Sequence, residues 1–234
     1  MTGNAPLNDH LKRGSKTLDN GLRVLETLGS APNGLTTTEL SERLGLHRTV
    51  TDRLVRTLEH HGLCRRTKEK RIVLGNGLVA LANQVQQDLR GTARPILEDL
   101  AEELQVTTHL SVQETEDSVR ALIVIPPRRS RIHVGFREGQ VDPIDRGSAG
   151  LAIMSMQKKQ SGERPEVDVV RERGYALTRG EVTPTVTGIS APVPYRSDPG
   201  LLSVGISVFE TADEESLAAA VVAAADSLGR ALLR

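Results

Sequence analysis

Aromatic side chains are almost absent: the 234 residues include no Trp, two Tyr and two Phe. A core of ordinary size must therefore be assembled from Leu, Val, Ile and Ala, through many small contacts rather than a few large ones. Cysteine is scarcer still. A lone Cys64 excludes an intramolecular disulfide framework and any cysteine-rich zinc site, and it reads as a small, half-buried apolar residue. Long apolar runs are also missing. The longest, Leu217 to Ala225, ends at Asp226, far short of the roughly 20 residues that a membrane helix needs. No basic, apolar and small-residue leader opens the chain, so a cytoplasmic protein with no membrane partner is expected.

Net charge is zero, with 30 basic and 30 acidic residues, but the charge is unevenly placed. Residues 1–90 hold 14 Lys and Arg against 9 Asp and Glu, and the remainder of the chain reverses the sign. A basic front and an acidic back imply that only the front meets nucleic acid. Within the front, residues 43–71 carry nine basic side chains against three acidic ones. The hydroxyls of Thr36, Thr37 and Thr38 offer caps to a short helix, residues 39–44, and Gly45 supplies a left-handed turn. A second helix, His47 to His61, follows, with Val50, Leu54, Val55 and Leu58 as its apolar stripe. Gly62 ends it. Leu63 to Arg66 and Arg71 to Leu74 then flank a polar turn, Thr67 to Lys70, as a basic hairpin.

This is a winged helix-turn-helix pattern over residues 16–75. Its second helix places Arg48, Thr49, Thr51, Asp52 and Arg53 where a recognition helix meets base edges and phosphates of double-stranded DNA. Arg65, Arg66, Lys68, Lys70 and Arg71 of the wing would neutralise phosphates, the main source of affinity. Residues 1–15 are polar and Gly/Asn-rich, a disordered arm followed by a helix with Leu18, Leu22, Leu25 and Leu28 inward. Residues 76–90 form a linker helix with an apolar face of Leu78, Leu81, Ala82, Val85 and Leu89, which a second copy of the chain can cover.

Residues 91–234 read as α+β. Helices are predicted over Arg94 to Leu104, Leu151 to Met156, Val167 to Arg173 and Glu214 to Leu233. Strands are predicted over Thr107 to Gln113, Val119 to Ile125, Arg131 to Phe136, Val186 to Pro192 and Leu201 to Phe209. The order implies an antiparallel sheet with packed helices. Gly139 to Pro143 reads as a loop.

Eight segments in order, from LTTTELSERLGLHRTVTDRLVRTLEHHGL through LGNGLVALA, RPILEDLAEELQVTTHLSV, SRIHVGFREG, GSAGLAIMS, RERGYAL and GISAPV to LLSVGISVF, resemble the isocitrate-lyase-regulator (IclR) family of bacterial transcription regulators. The resemblance implies a winged helix-turn-helix joined by a linker helix to a GAF-like domain that binds a small organic or aromatic acid and assembles as a homodimer or a dimer of dimers. It would line the effector pocket with Ser148, Ala149, Thr178, Arg179, Gly188, Ser190, Ser207 and Phe209. The chain departs from the family in a short 157–165 connection, in Thr178-Arg179 where an acidic pair is usual, in Gly188 and in Asp142. An Arg at 179 would suit a carboxylate.

Catalytic signatures are missing. The six histidines form no HExxH, Gly147-Ser148-Ala149-Gly150 is neither a P-loop nor GxSxG, and no nucleophile sits beside a base. His109 lies on a predicted strand as a satisfied core residue or a pocket-facing one, and His133 likewise. No cofactor, metal or catalytic residue is expected. The reading is a DNA-binding repressor whose affinity a metabolite modulates. Two alternatives stay open: a metabolite-binding protein or enzyme with a helix-turn-helix that does not bind DNA, and a DNA-binding dimer without effector.

Overall fold

The computed structural model describes residues 14–82, 84, 87–129, 134–195, 200–209 and 213–233. The chain divides into two compact units, Met1–Val85 and Gln86–Arg234.

In the first unit, α1 (Lys16–Gly29), α2 (Thr37–Leu44) and α3 (Arg48–His60) precede an antiparallel hairpin of β1 (Cys64–Arg66) and β2 (Ile72–Leu74) and a short α4 (Gly77–Ala82). The reason for α2 is a complete capping box. The Thr36 hydroxyl accepts from the Glu39 N–H at 3.2 Å, and the Glu39 carboxylate accepts from the Thr36 N–H at 2.7 Å. Gly45, at φ 65°, ends the helix in the left-handed region. Val24, Leu28, Leu40, Leu44, Val55, Leu58 and Ile72 share one core. Cys64 is buried there, its thiol donating to the Val55 carbonyl at 3.6 Å.

Two helical faces are rotated from their sequence expectation. On α1 the core side is Asn20, Gly21, Val24 and Leu28, while Leu18 and Leu22 are 63% and 50% exposed. On α3, Val50 is 43% exposed and Thr51 is fully buried. Thr51, Leu54, Val55 and Leu58 follow the i, i+3, i+4, i+7 spacing of a helical stripe more closely than a stripe begun at Val50. The Thr51 hydroxyl returns to the His47 carbonyl at 3.4 Å, which removes the cost of burying it. Most of the predicted arm, with Lys12 and Arg13, lies outside the described residues.

In the second unit, α5 (Gln87–Leu104) begins seven residues before the expected Arg94 and carries Pro95 within it. The carbonyl that Pro95 leaves without a partner is that of exposed Gly91, open to water. Then come β3 (Thr107–Thr115), β4 (Ser118–Ile125), β5 (Val141–Pro143), α6 (Gly147–Ser155), α7 (Pro165–Arg173), β6 (Ala176–Arg179), β7 (Thr187–Pro192), β8 (Leu202–Val208) and α8 (Glu214–Leu232). The strands form one antiparallel sheet in the order β5-β4-β3-β8-β7-β6. Of the predicted strand Arg131 to Phe136, residues 131–133, His133 included, lie outside the described residues, and 134–136 are not strand. The edge strand is instead β5, inside the stretch read as a loop, and β6 was not anticipated.

Period-two alternation sorts the central strands. Leu110 and Val112, Ile189 and Ala191, and Leu202, Val204, Ile206 and Val208 join Leu97, Ala101, Val221 and Leu228 of α5 and α8 in an aliphatic core. The intervening positions, His109, Ser111, Gly188, Ser190, Ser203, Gly205 and Ser207, are small or polar and face the other side, where α6 packs on the sheet. Gly150 lets α6 approach: a Cβ there would stand 1.9 Å from the Ile144 carbonyl oxygen.

Gly150→Ala should therefore destabilise the protein by roughly 1–3 kcal/mol or more through overpacking against backbone. Gly91→Ala, in α5 with nothing within 4 Å of the new Cβ, should stabilise it by about 0.4–1 kcal/mol. Urea unfolding of the two variants measures both, and equal effects would refute the steric account.

Candidate functional site

Two surfaces gather the residues singled out in the sequence, one in each unit. In the first, Arg48, Thr49 and Arg53 are exposed on α3, and Arg65, Lys68 and Lys70 are exposed on the hairpin. Lys70 takes φ 59° to close the turn. The other expected members hold the fold together. Asp52 pairs with Arg56 at 2.9 Å and with Arg66 at 3.0 Å. Arg66 also meets Glu59 at 3.3 Å, which ties the hairpin to α3. Arg71 donates to the carbonyls of Asn33 and Gly34 and to Glu39 at 3.2 Å, the carboxylate of the capping box. That guanidinium and the Thr36 N–H hold the Glu39 carboxyl below its ordinary range, the backbone bond being the larger cause. Thr51 is beneath the surface. Basic residues at the same density, exposed Arg66 included, thus divide into a set tied into ion pairs within the unit and a set that projects beyond it, a division that sequence spacing does not show.

The second surface is a cavity between the polar face of the sheet and the α6 side. About 50 Å³ of it is open to the centre of a water molecule, room for a few waters at roughly 10–15 Å³ each, or a small organic molecule. Ser148, Ala149, Thr178, Gly188 and Ser207 line it. Ser190 lies just beneath, its hydroxyl 2.8 Å from that of Ser148. Gly188 keeps the floor low, since a Cβ there would come within 2.7 Å of the Ser148 Oγ. Arg179 and Phe209 are elsewhere. Both border a separate surface groove, where Arg179 is ion-paired with Glu214. Thr178 and Arg179 are neighbours on β6, so alternation sends them to opposite faces and only one can reach the cavity. Phe209 follows the last residue of β8, beyond the reach of the alternation that aims Ser207 inward.

Other lining residues were not assigned to this site in the sequence, among them Ser111, Phe136, Arg146 and Glu181. Glu181 has a defined place. Its carboxylate accepts from the Gly147 N–H at 2.9 Å, at the start of α6, and from Arg164 at 2.8 and 3.0 Å. Arg164, chiefly, and the Gly147 amide hold the Glu181 carboxyl below its ordinary range. The anion position offered by the GSAG helix start is thus filled by the chain itself. Arg146 donates to the Glu181 carbonyl at 2.5 Å. Asp142, noted as a departure from the family, also lines the cavity and accepts from Gln140.

His109 resolves in favour of the cavity-lining alternative. It is 3% exposed, and its ring centroid lies 5.2 Å from that of Phe136. Burial pushes the imidazole down to about 4, against a smaller opposing effect of its hydrogen bond to the Ile206 backbone. Nδ1 has no hydrogen-bond partner among the described residues. No group of metal-ligating side chains occurs among the described residues.

Residues 17–68 match the family model described as the IclR helix-turn-helix domain. The HTH-type transcriptional regulator Rv1719 of Mycobacterium tuberculosis is 28% identical over 200 residues, covering 76% of each chain. A crystal structure of an IclR transcriptional regulator from Alicyclobacillus acidocaldarius superposes with a TM-score of 0.77 at 20% identity, over 93% of this chain and 98% of that one. An IclR homologue from Microbacterium hydrocarbonoxydans, crystallised with 4-hydroxybenzoate, gives a TM-score of 0.77 at 20% identity, over 93% and 99%. At such identities the structural likeness is one of fold.

The buried imidazole carries a pH signature. The folded pKa is depressed below the ordinary 6.5, so between pH 6.5 and about 4 the unfolded chain binds a proton that the folded chain does not. Stability therefore falls as pH falls through that window, by on the order of 3 kcal/mol from this group. Unfolding free energies measured from pH 7 to 4 should drop by that much more in the wild type than in His109→Gln. Parallel curves would refute the assignment.

Proposed function

Because the chain belongs to the IclR family of transcription regulators, we propose that it is a repressor that binds an operator as a homodimer, and that a small molecule in the cavity of the second unit controls it. The observation that carries the DNA-binding half is the exposed row Arg48, Thr49 and Arg53 on α3 beside Arg65, Lys68 and Lys70 on the hairpin, all within or next to the matched helix-turn-helix segment. Arg48, Thr49 and Arg53 occupy the first turns of α3, which read base edges in the major groove in proteins of this kind. Arg65, Lys68 and Lys70 neutralise phosphates. Asp52, Arg66 and Arg71 act indirectly, by fixing the hairpin on α3 and α2. The exposed apolar residues Leu18, Leu22, Val79 and Leu81 support a second copy as partner.

The effector half rests on the cavity lined by Ser148, Thr178, Gly188 and Ser207, in a fold that carries 4-hydroxybenzoate in the homologue from M. hydrocarbonoxydans. For an acid of that kind, the cation among the lining residues here is Arg146 rather than Arg179. The regulator reading is favoured over an enzyme with an idle helix-turn-helix. The relatives are transcription regulators, and the exposed cations of α3 and the hairpin have no use in catalysis. A cytoplasmic location follows from binding DNA.

The test is fluorescence anisotropy with DNA from upstream of the gene, at two salt concentrations. Binding that weakens with salt is expected, with a slope set by the phosphates neutralised. Arg48→Ala should cost roughly 1–3 kcal/mol on the operator and relax base preference, whereas Lys68→Ala should weaken specific and unspecific DNA alike. Salt-independent binding, or none, would sink the reading.

A further inference from the structure

The chemistry of the ligand is written at one atom of the cavity wall. His109 lies on β3 opposite Gly205 of β8. The imidazole lies so close over that glycine that a Cβ there would stand 2.4 Å from Cε1 and 2.8 Å from Nε2. One edge of the ring is thus pressed on the β8 backbone, and the backbone hydrogen bond of the ring is to Ile206, the next residue along that strand. That bond opposes the loss of the ring proton, so the ring is its donor and the Ile206 carbonyl its acceptor.

A neutral imidazole has one N–H and one lone-pair nitrogen. With the N–H spent at the Nε2 edge, Nδ1 is left as an acceptor, and it is the buried side-chain polar atom without a partner among the described residues. Burial keeps the ring neutral at physiological pH, so Nδ1 stays an acceptor there. The nearby hydroxyls of Ser148 and Ser190 share one hydrogen bond, and neither reaches Nδ1. Phe136, tilted at 54° against the imidazole, lines the same cavity.

We propose that the cavity selects ligands that present a hydroxyl or N–H donor to Nδ1 of His109, and that it rejects a carboxylate at this inner end. The proposal deepens the effector reading above and rests on it. A carboxylate brings acceptors only, and its lone pairs would face that of Nδ1. If the effector is an acid, its carboxylate belongs at the Arg146 side and a hydroxyl at the His109 side.

The test uses phenol and toluene, two rings of nearly one size that differ by the donor, titrated calorimetrically into the full-length protein. Phenol is expected to bind about five- to tenfold more tightly than toluene, the worth of one hydrogen bond. In His109→Phe the ratio should fall to about one. A second measurement needs no variant: in wild-type protein with 15N-labelled histidine, the Nδ1 resonance of His109 should move on adding phenol and stay in place with toluene. Equal affinities in the wild type, binding of neither compound, an undiminished phenol preference in His109→Phe, or a motionless Nδ1 resonance would each overturn the proposal. Those outcomes leave the regulator reading intact where salt-sensitive operator binding persists, and loss of operator binding overturns that reading without touching the phenol preference.

Discussion

Absence of bulk on one face of a sheet is the constraint on which the second unit depends. Gly188 and Gly205 sit at adjacent strands where any Cβ would strike a serine hydroxyl, with His109 as a further obstacle at Gly205. Gly150 does the same from the helix side, against the Ile144 carbonyl. These glycines let α6 come down on β7 and β8 and leave room for the Ser148–Ser190 pair and the imidazole. The opposite face of the same strands is aliphatic and closed by α5 and α8. One strand sequence such as Leu202 to Val208 therefore serves two purposes at once: its even positions supply the hydrophobic stabilisation, and its odd positions shape a cavity.

The two-faced pattern is legible in the sequence, and much of the fold followed from it. The helix-turn-helix was announced by the threonine caps at 36–38 and Gly45, and the antiparallel α+β unit by alternating runs at Thr107, Val119, Val186 and Leu201. What escaped has local physical causes. The strand β6 is only four residues long, too short for alternation to announce it, so Thr178 and Arg179 were grouped when alternation separates them. The edge strand β5 holds Pro143, a residue that reads as loop, and edge strands tolerate it. On α3 a valine and a threonine exchanged places because Thr51 satisfies its hydroxyl within its own helix, which apolar counting cannot see. Residues 131–133, where a further strand was expected, are outside the described set.

The Glu181 carboxylate shows why motif reading locates a site more readily than it assigns the chemistry. The backbone amide at the GSAG helix start suits an anion, and it does hold one, but the anion is a side chain 34 residues further on. Arg164, on the short connection that marks a departure from the family, secures it from the other side. A negative ligand group entering there competes with a carboxylate already satisfied by two kinds of donor, whereas a donor group meets an unfilled acceptor at His109. The polarity of the cavity is thus set by residues outside the eight that the resemblance placed there.

The same distinction between charge and available chemistry governs the first unit. Net charge over residues 43–71 is strongly positive, and that excess sets the long-range field which draws a polyanion. A phosphate contact needs something more, a guanidinium or ammonium whose donors are unspent. Arg66 and Arg71 have spent theirs on Asp52, Glu59, Glu39 and two backbone carbonyls. In doing so they lock the hairpin to the helices, so that Arg65, Lys68 and Lys70 project from a rigid base rather than a floppy loop. A protein built this way gains orientation from some of its cations and affinity from the others, and counting them together hides the division.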